Sequence, residues 1–482
     1  MIVGTSSNSG KTTVVAGLCR LFANRGLAVA PLKSQNMALN AYVTADGGEI
    51  AQATAMQARG ARQEPIVHMN PLLLKPKSDD VAQLIVHGKA RMDVSARDYF
   101  LEDGLQGLKI GAIEESIAHL KSRFDLIVAE GAGSCAEPNL RRLDVVNMGL
   151  ARMLEARVFV VVDIDKGGAF ADILGTLEVM RLTEPKDLEL IEGFILNKFR
   201  GDRTVLQPAI DFSFAHTKIP IVGVLPYLHD LRLEEEDRVR ERPCNDPEVD
   251  IAVILLPHIS NATDFEFLDE EPGVQVRYVK SAESLGLPDA IILPGTKNTT
   301  WDLDYIRRTG LEQAIVALAG RTPLIGVCGG FQMLGRTLCD PHRFESSLGT
   351  IPGMGLLAID VEFSSTKTVT RRDYAPSADN PFRDAGDVRG YEIHAGHVHY
   401  GSSRPAYAYA GGRDGAVDPE RRIFGTFIHD LFRNPAVARS FVNALRRSKG
   451  LPELTTQLPQ VHDRIDASYQ RLASLLEEHC GF

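Results

Sequence analysis

The chain has 482 residues, 44% of them hydrophobic, 24% charged and 7% aromatic, with a net charge of −10 from 53 basic and 63 acidic side chains. At about 150 residues per domain, this length predicts two or three domains with sizeable cores, which excludes a disordered chain and a stapled miniprotein. The acidic balance excludes a protein that wraps DNA or coats an anionic membrane, and leaves room only for local basic pockets that hold phosphates.

Six cysteines (Cys19, Cys135, Cys244, Cys328, Cys339 and Cys480) lie far apart, with no C-x-x-C pair and no zinc spacing. That pattern reads as a reduced, cytoplasmic chain. No stretch approaches the ~18 consecutive apolar residues of a membrane span. The N-terminus does not read as a signal peptide, because Lys11 interrupts it.

In chain order, short runs rich in Val, Ile and Leu predict strands at 1–4, 126–129, 158–163, 193–197, 221–224, 251–257, 274–279, 290–294 and 324–327. Several are apolar on both faces, as parallel strands covered by helices require, and amphipathic segments separate them. The fold class is therefore α/β, with two doubly wound domains and mainly parallel sheets. The charge-dense stretch 229–250, with its two prolines, reads as a boundary region. It divides the chain into 1–230, a linker at 231–250, and 251–482. Residues 339–390 read as an irregular insertion in the second domain.

The first motif runs from Gly4 through Thr5, Ser9, Gly10, Lys11, Thr12 and Thr13, between a short apolar strand and the helical run VVAGLCRLF. Backbone N–H groups at such a turn curl round an anion and deliver it to a helix N-terminus. Lys11 would reach the terminal phosphates of ATP, and the Thr12 hydroxyl would sit on Mg²⁺. Five residues separate the two glycines instead of the usual four, so the loop is a variant of the phosphate-binding type. Glu130 ends the buried run 126–129, where a metal-binding carboxylate belongs, and Asp46 in TADGGE is a second metal candidate. Asn197 could offer its amide to an adenine edge.

The second motif is LIGVCGGFQML, which sets Cys328 between a buried strand and a helix with glycines behind it. A sharp turn of this kind exposes a nucleophilic thiolate. The N–H of Gly329 supplies one oxyanion donor, and the Pro294-Gly295-Thr296-Lys297 loop, with Gly295 foremost, supplies another. A thiol nucleophile needs a base, and the residues alone offer His429 in GTFIHD or His394, His397 and His399 in the GYEIHAGH region.

Together with SQNMALN, MNPLLLKPKSD, NLRRLDVVNMGLA, GGAFADILGT, GFILNKFRGD, VGVLPYL and LPGTKNT, these motifs closely resemble the cobyric acid synthase family across nearly the whole chain. The resemblance implies a dethiobiotin-synthetase-like domain followed by a class I glutamine amidotransferase domain. It also implies amidation of the b, d, e and g carboxylates of adenosylcobyrinic acid a,c-diamide with ATP and glutamine. It makes Cys328 the nucleophile and His429 the base, and places Thr12, Asp46 and Glu130 near Mg²⁺.

Three departures stand out. Class I amidotransferases carry an acid two residues after the histidine, and Leu431 occupies that position here. Ala51-Gln52-Ala53-Thr54 and Arg141-Arg142-Leu143-Asp144 replace the family's usual G-R-A-Q and R-D-R-D. Only three residues precede Gly4, which implies a short first strand or a start further upstream. Rival readings are the sister synthase that amidates the a and c carboxylates, a ligase for another carboxylate such as a cell-wall precursor, and a P-loop switch ATPase with an inactive C-terminal domain.

Overall fold

The computed structural model describes every residue except 78–79, 102, 229–230, 232, 234–243, 346, 457–460 and 482. The chain forms two units: Met1–Ala38, Thr44–Glu234 and His462–Phe482 make the first, and Leu39–Val43 with Glu235–Val461 make the second. Much of the expected linker at 231–250 lies outside the described residues.

In the first unit the strands are β1 (Ile2–Gly4), β2 (Val29–Leu32), β3 (Leu126–Ala129), β4 (Val158–Asp163), β5 (Ile191–Phe199) and β6 (Ile221–Pro226). β1, β4, β5 and β6 lie side by side and parallel, and β2 pairs parallel with β3. A single bridge from Ile2 to Glu130 joins the two sets. Side chains alternate between two cores, as the two-residue period of a strand demands. Val3, Val160 and Val162 fall on one side, and Ile2, Val161 and Ile195 on the other. An antiparallel hairpin, Val81–Val86 with Lys89–Ser95, is also part of this unit.

The first unit ends with the helix Val461–His479, drawn from the far end of the sequence. It packs on the helix Lys11–Asn24, where a Cβ added to Gly17 would lie 2.5 Å from Leu476 Cδ1. The buried guanidinium of Arg20 pairs with Asp466 at 2.6 Å, and the Tyr469 hydroxyl donates to Met56 O at 2.6 Å. A buried charge needs such a partner, which is why the C-terminal segment joins this unit and not the contiguous stretch 251–482.

The second unit holds β7 (Val249–Ile254), β8 (Val274–Val279), β9 (Ala290–Leu293), β10 (Leu324–Val327), β11 (Ile359–Pro376), β12 (Val388–Tyr400), β13 (Ala416–Asp418) and β14 (Ile423–Thr426). Its main sheet has the order β8-β7-β9-β10-β14-β13, parallel except for the edge strand β13. β10 and β14 are neighbours in register, so the loops leaving their C-terminal ends emerge side by side.

All nine apolar runs are strands, with ends displaced by up to three residues. The expected irregular insertion is corrected. Residues 339–390 contain all of the long strand β11 and the start of its antiparallel partner β12. Its run Ser364–Thr370, polar except for Val369, is extended and half-buried or exposed, and it lacks the apolar alternation that marks a strand in sequence. Among the described residues, no helix is long and apolar enough to cross a membrane.

Candidate functional site

In the first unit the loop from Gly4 to Gly10 links β1 to the helix Lys11–Asn24. Gly10 has φ +98°, and a Cβ there would lie 2.0 Å from Asn197 Nδ2. Both the left-handed backbone and the close approach demand glycine. Lys11, nearly buried, directs its ammonium to Ser6 O at 3.0 Å and Gly133 O at 2.9 Å. The hydroxyls of Thr5 and Ser9 are buried and have no partner among the described residues. Orphaned donors clustered on a glycine loop fit an anion-binding cradle.

Asn197 Nδ2 donates to Ser9 O at 2.9 Å, so the amide expected to meet an adenine edge also braces the loop. Lys198 acts beside it, donating to Asn8 O and to Asp163, both at 2.7 Å.

Glu130 is buried at the end of β3. Its Oε1 accepts from Thr12 Oγ1 at 2.8 Å and from Lys33 Nζ at 3.1 Å, and Gln57 donates to its other oxygen. A hydroxyl and a carboxylate beside a phosphate loop are hard oxygen donors suited to Mg²⁺ with phosphate and water completing the shell. Asp46 does not join them. It is exposed and accepts from Thr44 Oγ1 in its own turn, and no bond links it to Thr12 or Glu130 among the described residues. Lys33 and Gln57 were not foreseen. The only sequence signal for Lys33 is a lysine directly after an apolar strand, which is weak by itself.

In the second unit Cys328 joins β10 to a short helix, Gly329–Met333. Its backbone is strained, at φ +50° and ψ −109°. Such strain is sustained only where the surroundings impose it. Here the Cys328 N–H donates to Thr426 O at 2.8 Å, tying the turn to β14. A Cβ on Gly330 would sit 2.0 Å from Leu293 O, so only glycine allows the helix to start so near β9. The thiol donates to Ile393 O at 3.4 Å. The Gly329 N–H has no acceptor among the described residues. Gly295 lies beside the thiol: a Cβ there would be 3.6 Å from Cys328 Cβ and 3.1 Å from His429 Cε1. The amide nitrogen of Thr296 faces Gly329, 3.0 Å from the position of a Cβ on that residue.

His429 follows β14 and is fully buried, and its backbone N–H donates to Tyr391 O at 2.8 Å. Its Nδ1 donates to Asp264 Oδ2 at 2.6 Å, and the other Asp264 oxygen accepts from Asp430 N at 3.0 Å. Leu431, at the position where class I amidotransferases carry an acid, is packed in the core. Burial alone would lower the pKa of His429, but the charges of Asp264 and Cys328 and their hydrogen bonds outweigh it and push the group up to about 10. The cysteine and histidine expected as nucleophile and base, and a carboxylate bonded to that histidine, therefore come from three separate loops, an arrangement suited to nucleophilic catalysis. His394, the other candidate, has both ring nitrogens engaged elsewhere. Its nitrogens contact Glu392 at 3.1 Å and Gly396 O at 2.8 Å, and its ring stacks on Phe427 at 3.6 Å.

A family described as the CobQ/CobB/MinD/ParA nucleotide binding domain matches residues 1–239, and the CobB/CobQ-like glutamine amidotransferase domain matches residues 250–437. The chain is 43% identical to the cobyric acid synthase of Desulforamulus reducens, covering 99% of this chain and 95% of that protein. It is 42% identical to the cobyric acid synthase of Dehalococcoides mccartyi strain CBDB1, over 99% and 95%. With the Moorella thermoacetica protein of the same name the identity is 45%, over 94% and 90%.

Proposed function

The chain belongs to the cobyric acid synthase family, and we propose that its first unit activates corrinoid carboxylates with ATP while its second unit draws ammonia from glutamine. The reaction is amidation of the b, d, e and g carboxylates of adenosylcobyrinic acid a,c-diamide to give cobyric acid. The observation that carries the glutaminase half is the bonded set of His429 and Asp264 beside the strained Cys328.

His429 takes the proton of Cys328, and the thiolate attacks the amide carbon of glutamine. The N–H groups of Gly329 and of the Gly295–Thr296 loop are suited to the oxyanion that forms. Collapse of that intermediate releases ammonia and leaves a thioester, which water hydrolyses to glutamate. In the first unit a carboxylate of the corrinoid takes the γ-phosphoryl group of ATP and becomes an acyl phosphate. Ammonia then displaces phosphate from it.

Lys11 and the loop N–H groups from Gly4 to Thr13 bind the phosphates, and Asn197 holds the loop in shape. Thr12 and Glu130 are the residues to hold Mg²⁺, which when bound neutralises phosphate charge. Lys33 pairs with the buried Glu130 carboxylate and holds it in place beside Thr12. Asp46 serves as a metal ligand only if its turn rearranges, which makes it the weakest member of the expected set. Six free cysteines suit a reducing compartment, in keeping with the cytoplasm.

Mass spectrometry of products from the a,c-diamide, ATP and glutamine tests this reading. Four successive losses of about one dalton, one per acid made amide, are expected. No amidation of the diamide, with amidation of the undecorated a and c carboxylates instead, would transfer the chain to the sister reaction.

A further inference from the structure

The base of the second unit has one neighbour that the glutaminase reading does not use. Asn261 places its Nδ2 3.2 Å from His429 Nδ1, the same nitrogen that Asp264 holds at 2.6 Å. The orientation of that amide is fixed by the other end of the group. Asn261 Oδ1 accepts the N–H of Ala41 at 2.9 Å, which an NH₂ group could not do. The end facing the imidazole is therefore the donor.

Ala41 lies in the segment Leu39–Val43, a strap of the second unit whose chain neighbours on both sides belong to the first. The strap is held at several points around the base. Asn261 N donates to Asn40 Oδ1 at 2.6 Å, Ser260 Oγ donates to Leu39 O at 3.0 Å, and Tyr391 OH donates to Ala41 O at 3.1 Å. The Tyr391 ring stacks on His429, with centroids 5.2 Å apart and planes at 21°. Asn40, Ala41, Ser260, Asn261, Tyr391 and His429 are all buried.

A single imidazole nitrogen cannot serve both neighbours. With a proton on Nδ1, His429 donates to Asp264 and leaves Nε2 free to take the thiol proton. With Nδ1 bare, it accepts from Asn261, carries its proton on Nε2, and cannot act as a base toward Cys328. The Asn261 donor also works against the imidazolium that Asp264 and Cys328 favour, because it then faces an N–H.

We propose that the strap Leu39–Val43 restrains the glutaminase by clamping the Asn261 amide with its NH₂ group against His429 Nδ1, in competition with Asp264. Asn261 is thus a positioning residue of negative sign, and any displacement of the strap frees its amide to turn and releases the base. The inference rests on the assignment of Cys328 and His429 to glutamine hydrolysis. Around His429 the titratable and charged groups are Asp264 from the turn at 262–265, Cys328 from the elbow, Tyr391 from β12, and Asp430 with its partner Arg433 on the histidine's own loop.

The test uses full-length protein and two readouts: the pH profile of Cys328 alkylation by iodoacetamide, which needs no glutamine, and glutaminase turnover without corrinoid. Asn261 has φ +57°, so Asn261→Gly removes the side chain without backbone strain. It should move the alkylation midpoint to lower pH and raise basal turnover by about threefold to tenfold, the weight of one hydrogen bond. Asn261→Asp tolerates the same backbone, keeps an acceptor for Ala41 and replaces the donor by oxygen, so it should shift the midpoint the same way. Asn40→Ala, which loosens the strap, should do so to a smaller degree. An unchanged or higher midpoint in folded Asn261→Gly overturns the proposal, and so does an Asn40→Ala shift of opposite sign. Failure of Cys328→Ser to abolish glutamine use would instead strike at the underlying assignment, which keeps the two outcomes apart.

Discussion

Asp264 accepts the Nδ1 proton of His429 at 2.6 Å although 165 positions separate the two residues. The acid missing from position 431 is therefore supplied from a turn much earlier in the second unit. Asp264→Asn preserves shape but no longer fixes the productive tautomer. It should lower glutaminase kcat by about 10²–10⁴ while ammonia-supported amidation persists. A loss below tenfold in folded protein would remove Asp264 from the reaction.

The same pair makes stability depend on pH. Folded His429, raised to about 10, binds a proton that the unfolded chain releases near 6.5. The folded state thus holds more protons in this window, so the stabilisation is complete below about 6.5 and is lost as pH rises through about 10. The difference in Tm between wild type and Asp264→Asn should shrink between pH 7 and 10. Thermal melts showing a constant or growing difference would contradict the linkage.

Cys328→Ser should abolish glutamine-dependent synthesis yet retain activity with high ammonia, because only the thioester is lost. Lys11→Ala should reduce amidation with either nitrogen source, since it removes charge at the transferring phosphate. Normal ammonia-dependent rates in Lys11→Ala would sink the phosphate-loop assignment.

Lys33→Met leaves Glu130 without its buried cation and should destabilise the protein by about 3–5 kcal/mol. Combined with Glu130→Gln, the loss should be less than the sum of the two single changes. Additive denaturation energies would show that the two side chains do not act as a pair.

His429→Ala should lower glutaminase activity by about 10²–10⁴, whereas His394→Ala should lower it by less than about tenfold, because both nitrogens of His394 are occupied elsewhere. A larger loss in His394→Ala, with equal Cys328 alkylation profiles, would transfer the base to His394.

The parallel strands were legible because burial on both faces leaves unbroken apolar runs, as at Val158–Asp163. The phosphate loop and the cysteine elbow were legible because each needs glycine at fixed offsets. Asp264 was not, since its role depends on a tertiary approach to His429 that no local spacing encodes. The same holds for Lys33 on Glu130, and for Asn197, whose neighbour Ser9 is 188 positions away. The β11–β12 pair was missed because only Ile359–Phe363 of β11 alternates apolar with polar, while the stretch from Ser364 to Asp373 is polar except for Val369.

The helix Val461–His479 completes the first unit, where it shields Arg20 and Met56 and brings Cys480 beside Gly223. A ribosome delivers that helix only after the residues of the second unit have emerged. The nucleotide-binding unit therefore waits through most of translation with one flank of its first helix uncovered. A frameshift or stop just before this helix would therefore strip a flank from the first unit, while leaving the residues of the second unit, which lie closer to the break, intact.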